Sequence, residues 1–312
     1  MRTLALVVMI AVAVALVLAG CDGRQTTAPN GGSPTPGAGA VTVVATTSVL
    51  ADLVRQVGGE RVDVHALVPR GGEAHTFDPA PSDAARLSQA RLLVMNGLGL
   101  DDWLLTLAAD AGQEELPVAE LAVELEDVEY IEADDGGGDG IFNPHLWLNV
   151  EYARLYVDRI RLKLIEVDPA HQADYDANAG AYDETLEALD AYVREQMAGI
   201  PEADRRVVSF HDAFPYFAAA YGLAIVGVVV SAPGQEPSAG EVARLVTAIR
   251  ETGVKAILAE AQFSEQPAQA IADETDATVV SELYTDSLGD PPQDTYESAI
   301  RWDVDRIVEV LR

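Results

Sequence analysis

Residues 41–68 read VTVVATTSVLADLVRQVGGERVDVHALV. Val41 to Ala45 is a β-branched run, Ser48 to Val57 spaces its apolar side chains as a helix does, and Val62 to Val68 is a second β-rich run. Two strands joined through a helix make a βαβ unit, whose strands run parallel. The scheme continues downstream with strands at RLLVM (91–95) and LPVAE (116–120) and helices over Ser82 to Ala90 and Asp101 to Ala111. The second half repeats it. RVVSF (206–210), AIVGVVV (224–230), VKAILAE (254–260) and ATVVSEL (277–283) read as strands, with helices near 213–221, 238–252, 266–275 and 294–311. The expected fold is therefore α/β, with two lobes that each hold a parallel sheet flanked by helices.

Pro169 to Gly199 has a different texture. It carries no strand signal, and Tyr175, Ala179, Tyr182, Leu186, Leu189, Val193 and Met197 recur at spacings of three and four. Those positions fall on one face of a single long helix. At 1.5 Å per residue it would run about 40 Å, enough to bridge a pair of lobes. Pro201 closes it.

With 312 residues and 49% hydrophobic side chains, the chain can bury cores for two domains. Fifty-one acidic against 20 basic side chains give a net charge of −31, which argues against a nucleic-acid partner and suits an exported, soluble monomer that gathers cations. Leu4 to Ala19 is an unbroken run of 16 apolar residues behind Arg2, too short to span a bilayer and placed as a secretory leader. It ends Leu18-Ala19-Gly20-Cys21, which resembles a bacterial lipobox with Cys21 as the lipidated residue. Cys21 is the sole cysteine, so no disulfide forms within the chain. Asp22 to Ala40 is rich in Gly, Pro and Thr and cannot fold by itself. The division expected is a leader over 1–20, a lipidated tether over 21–40, an N-terminal lobe over 41–168, a linker helix over 169–200 and a C-terminal lobe over 201–312.

Four side chains carry the chemistry. His75 lies in GGEAHTFDPAPSD (71–83), His145 in FNPHLWLNV (142–150), His211 in SFHDAFPYF (209–217) and Asp286 in YTDSLG (284–289). Three imidazoles and a carboxylate are borderline donors that suit Zn²⁺ and some other divalent first-row metals. His75, His211 and Asp286 follow strands, at the carboxyl edge where open α/β sheets collect ligands. Spread from 75 to 286, the four can meet only in a cleft between folded halves. His65 sits inside a strand and His171 starts a helix, so both are expected to be structural or superficial. Glu260 ends VKAILAE and has two readings: a partner that orients a histidine, or a solvated or capping carboxylate.

Enzyme signatures are missing: there is no H-E-x-x-H, G-x-S-x-G, G-x-G-x-x-G or phosphate-binding loop. NGLGLD (96–101) is glycine-rich without the dinucleotide pattern. A site closed by four protein donors also leaves no place for the water that catalytic zinc needs. Glu126 to Gly140, EDVEYIEADDGGGDG, packs seven carboxylates and four glycines before His145 and reads as a solvated loop or a weak cation-gathering arm.

The lipobox, G-x-x-x-H-x-x-x-P around His75, N-P-H-x-W at His145, F-H-D-A-F-x-Y-F at His211 and T-D-S-L at Asp286 resemble, in order, the zinc/manganese solute-binding lipoproteins of bacterial ABC transporters. The likeness runs from about Val41 to Arg312. It implies two lobes on four-stranded parallel sheets, a bridging helix, and a metal held by His75, His145, His211 and Asp286, two from each lobe. It implies an extracytoplasmic receptor, anchored through Cys21, that delivers Zn²⁺ to a membrane permease. Mn²⁺ or Fe²⁺ delivery is the alternative within that class, and a secreted zinc hydrolase, with Glu260 as its base, the alternative outside it. The acidic stretch stands where many zinc-specific members are His-rich, which leaves the metal open. His211 stands where some manganese members have Glu, which points back to zinc.

Overall fold

The computed structural model describes residues 37, 39–133, 142–230 and 233–312. The leader, Cys21, nearly all of the tether and the glycine-rich half of the acidic stretch lie outside the described residues. From Gly37 to Arg312 the described residues fall in one compact unit. No helix among them is long and apolar enough to cross a membrane.

The first half runs β1 (Val41–Ala45), α1 (Ser48–Gly58), β2 (Val62–Ala66), α2 (Pro81–Leu87), β3 (Leu92–Met95), α3 (Trp103–Asp110), β4 (Val118–Glu120), α4 (Val150–Val167) and α5 (Gln172–Ala198). The second runs β5 (Arg206–Ser209), α6 (Pro215–Tyr221), β6 (Ala224–Val228), α7 (Ala239–Thr252), β7 (Ala256–Glu260), α8 (Gln266–Asp273), β8 (Thr278–Leu283) and α9 (Tyr296–Leu311). Each half builds a four-stranded, wholly parallel sheet, in the orders β2-β1-β3-β4 and β6-β5-β7-β8. The two orders are the same pattern. In each, strand order reverses between the first and third strands, so a crevice opens at the carboxyl ends of β1 and β3 and of β5 and β7.

The expected lobes and long helix are present. Every apolar position singled out between Tyr175 and Met197 is buried on α5. That face packs on α1 and α4 in one half and on α6 and α9 in the other, so α5 spans both sheets. Its start differs from expectation: Asp168 and Pro169 open a separate 3₁₀ turn, Pro169–His171, and α5 begins at Gln172. His171 spends Nδ1 on Asp168 Oδ2 at 2.7 Å, and His65 stays exposed on β2, so neither approaches the cluster of the other three histidines.

Helix α4 was not anticipated. Its buried residues Val150, Ala153, Tyr156, Val157, Ile160 and Leu164 recur at helical spacing, and the Asn149 side chain caps its start by accepting the Glu151 N–H at 3.1 Å. Tyr, Val and Ile fill that stripe, residues that favour strands locally, and tertiary packing on α5 decides the outcome. One continuous core of buried side chains runs from β1 through α1, α4 and α5 into β5, β7 and α9, while smaller cores line the outer sheet faces.

Candidate metal centre

His211 lies two residues past the end of β5 and Glu260 is the last residue of β7, so the two come from neighbouring strands at the reversal of strand order. Both are buried, and His211 Nδ1 lies 2.8 Å from Glu260 Oε1. A carboxylate there accepts, which puts the proton on Nδ1 and leaves Nε2 as a donor atom on the other side of the ring. The Ser209 hydroxyl also donates to the His211 carbonyl and braces the turn.

His145 starts a 3₁₀ turn, Leu146–Leu148, after Pro144. Asn143 Oδ1 accepts twice from it, at 3.0 Å from the backbone N–H and 2.9 Å from Nδ1. Again Nε2 is left free. Asn143 is in turn fixed by donating to the Asp212 carbonyl at 2.6 Å, next to His211 in sequence. Asn143 was not singled out from the sequence, although it stands two residues before the histidine in N-P-H-x-W.

His75 sits in the loop between β2 and α2. Gly71 adopts φ +69°, open to few residues besides glycine, and the Gly72 N–H closes a turn onto the Pro69 carbonyl at 2.9 Å. Glu73 Oε1 then accepts the His75 N–H at 2.7 Å. Asp286 lies past β8, fully buried, with Gln262 Nε2 3.3 Å from its Oδ2.

The structure brings His75, His145, His211 and Asp286 together, their donor atoms all within 4.8 Å of one another. His145 Nε2 is 3.2 Å from His75 Nε2, 3.3 Å from His211 Nε2 and 3.3 Å from Asp286 Oδ1. Asp286 Oδ2 is 3.4 Å from His211 Nε2 and 3.9 Å from His75 Nε2. His145, His211 and Asp286 are sealed, whereas the His75 side chain keeps 21% of its surface exposed and forms the outer wall. Glu260 is buried against His211 rather than solvated. Its second oxygen and Asp286 Oδ1 are buried acceptors with no hydrogen-bond partner among the described residues.

The charges follow the environment. Burial by itself would depress His211, but the negative charges of Glu260 and Asp286 outweigh it and hold the imidazole well above its usual value. Burial would likewise raise Asp286, and the His211 and His145 imidazoles reverse that and hold it well below the carboxylate range. Burial pushes Glu260 up. It also lowers His75 to about 3, aided by His145 and His211 against the pull of Asp286. Glu73 rises to about 7 through burial and the nearby Asp286 charge. The cluster is thus a pocket in which buried carboxylates surround the His211 imidazole and favour its charged form.

Two parallel-sheet lobes with three imidazoles and a carboxylate converging between them define a two-lobed ion receptor. The chain belongs to the family described as ZnuA, zinc-uptake complex component A, periplasmic, whose model matches residues 43–310. It is 32% identical over 275 residues to the metal ABC transporter substrate-binding lipoprotein SsaB of Streptococcus sanguinis, covering 86% of this chain and 88% of that protein. It is also 32% identical over 300 residues to the manganese-binding lipoprotein MntA of Halalkalibacterium halodurans, covering 96% and 95%. Among solved structures, the periplasmic zinc-binding protein TroA from Treponema pallidum superposes with a TM-score of 0.81 at 25% identity, over 88% of this chain and 99% of that one.

Proposed function

We propose that this chain is the extracytoplasmic, lipid-anchored receptor of an ABC importer, and that it captures Zn²⁺ on His75, His145, His211 and Asp286. The spacing of the donors carries the reading. A tetrahedral Zn²⁺ with donors at about 2.0–2.1 Å needs donor–donor edges of about 3.3 Å. His145 Nε2 supplies three edges of that length, 3.2 Å to His75 Nε2, 3.3 Å to His211 Nε2 and 3.3 Å to Asp286 Oδ1, while the other Asp286 oxygen lies 3.4 Å from His211 Nε2 and 3.9 Å from His75 Nε2. The unpartnered Asp286 Oδ1 fits the same reading, since buried acceptors otherwise find a donor. The relatives named for ABC transport and the periplasmic zinc-binding neighbour support the receptor role. In this reading residues 1–20 are a leader, Cys21 takes the lipid, 21–40 form a tether, and 169–200 link lobes of 41–168 and 201–312.

A second reading, Mn²⁺ as cargo, draws on Asp286, because both of its oxygens face histidine nitrogens and could raise the coordination number. The manganese-binding relative supports it. Hydrolysis is disfavoured: the four donors close the shell, and Glu260 is engaged on the far nitrogen of His211.

Elemental analysis of protein purified without added metal, followed by calorimetric titration with Zn²⁺ and Mn²⁺, tests the assignment. Alanine at His75, His145 or His211 is expected to weaken binding at least about 100-fold, more than the loss of an orienting partner costs. Alanine at His65 or His171 should leave it unchanged. An equal loss at His65 overturns the ligand set.

A further inference from the structure

The turn that carries Asp286 belongs by sequence to the second lobe, yet its hydrogen bonds run to the first. Thr285 O accepts the Trp147 indole N–H at 2.9 Å. Ser287 Oγ accepts the Gly71 N–H at 2.6 Å and lies 3.3 Å from Ser48 Oγ. The Leu288 N–H donates to Ser48 Oγ at 2.9 Å, and Gly289 O accepts from Arg70 at 3.0 Å. Contacts with its own lobe stop at the Tyr284 N–H, held by Asp303 Oδ1 at 2.9 Å, and resume at the Gly289 N–H, which donates to Gln293 O at 3.0 Å. Between those points the own-lobe polar contacts from outside the turn, among the described residues, are the Gln262 amide, 3.3 Å from both Thr285 Oγ1 and Asp286 Oδ2, and His211 Nε2, 3.4 Å from Asp286 Oδ2.

The partners on the first lobe are not arbitrary. Arg70 and Gly71 lie in the loop that carries His75, and Trp147 is two residues past His145. Ser48 opens α1 at the carboxyl end of β1, and one helical turn later Asp52 Oδ2 accepts the Tyr296 N–H at 2.8 Å, at the first residue of α9. Ser48 is 5% and Ser287 1% exposed, so water does not replace these bonds if one is lost.

We infer that Ser48 and Ser287 are a positioning pair that ties the Asp286 turn to the opposite lobe, so that the time for which the receptor retains its metal is set by a contact between lobes rather than by the ligands alone. The inference rests on the metal-receptor reading. Ser287 spans the gap: its hydroxyl takes the Gly71 N–H from the His75 loop while meeting Ser48. Without it the Asp286 turn loses a bond to the first lobe one residue from the carboxylate, and the shell opens on its oxygen side. Metal entry, which passes the exposed edge of His75, is left unaltered.

The test uses the full soluble body with Co²⁺ as an optical probe and Zn²⁺ for kinetics, comparing Ser287→Ala, Ser48→Ala, the double variant and Ser287→Thr. Expected is a rise of about tenfold in the rate at which excess chelator strips Zn²⁺ from Ser287→Ala and from Ser48→Ala, with the association rate within about twofold of the parent. The two effects should not multiply in the double variant, since they act through one contact. The cobalt absorption of Ser287→Ala should shift, and Ser287→Thr, which keeps the hydroxyl, should restore both rate and spectrum. Unchanged stripping rates and spectra in both alanine variants overturn the inference, as does a loss that appears solely in thermal stability. Hydrogen exchange of metal-free protein separates the layers: faster exchange at the Gly71 and Leu288 amides in the alanine variants supports the bracket whatever the cargo, and unchanged exchange refutes it. A parent protein that binds neither metal overturns the receptor reading instead.

Discussion

Glu260 and Asp286 favour the protonated form of His211, and in the proposed receptor an incoming metal would displace that proton. The folded value of His211 lies above the ordinary 6.5 because Glu260 and Asp286 flank the buried ring, so its contribution to folding is fully present below about pH 6.5 and is lost as pH rises through the higher folded value. Metal binding runs the other way, since a bound imidazole must be neutral and affinity therefore climbs with pH. His75, lowered to about 3, is already neutral near pH 7 and adds nothing to this dependence. Calorimetry at pH 7 in buffers of different ionisation enthalpy should thus report release of about one proton from His211 as Zn²⁺ binds. Glu260→Gln keeps an acceptor for Nδ1 and removes the charge, so its release should be smaller. No release from the parent protein would mean that the free site holds His211 neutral. At this scale the clustering of His75, His145, His211 and Asp286 was legible because each stands beside a turn in a distinct context. Glu260 was half legible, its place at a strand end being plain and its direction not. Ser48 and Asn143 were illegible as positioning residues, because their partners lie 239 and 69 positions away and only folding brings them near.

Among the elements, the strands and α5 were readable because β-branched runs and a long three-four spacing have few other outcomes, as at Val41–Ala45 and Tyr175–Met197. Helix α4 was not, since its stripe is rich in Tyr, Val and Ile and its capping Asn149 follows a histidine segment that reads as loop. Within α5 the exception to a good helical composition is Gly180, which is exposed and has nothing within 4 Å of where a Cβ would stand. Glycine there loses more backbone freedom on folding than alanine would, with no packing reason to keep it. Gly180→Ala should stabilise the metal-free protein by about 0.5–1 kcal/mol, seen as a rise of about 2 °C in a thermal melt. Zinc affinity should not change. A variant that melts higher but releases zinc more slowly would instead identify Gly180 as a bending point used in release.

For the molecule as a whole, three features oppose a wide hinge. Helix α5 crosses both halves without a proline between Ala170 and Ile200, and bending it would cost backbone hydrogen bonds. The core is continuous from one sheet to the other, so opening the lobes would expose packed side chains such as Tyr182, Leu186 and Leu189. The lobes are further joined by buried hydrogen bonds from Ser48 to Leu288, from Trp147 to Thr285, and from Asp52 to Tyr296. Receptors that close on two or three flexible crossing strands have none of these restraints. Metal loading should therefore alter the radius of gyration by less than about 1 Å, the scale of change in preorganised binding. The response should concentrate in the segments that bear His145 and Asp286, since the described residues 142–145 belong to none of the named helices or strands and the Asp286 turn is bonded to the other lobe. Small-angle scattering of metal-free and Zn²⁺-loaded protein measures the first quantity and hydrogen exchange the second. A fall of several ångströms in the radius would mean that α5 bends or that the shared core parts, and the rigid-body argument would be lost with it.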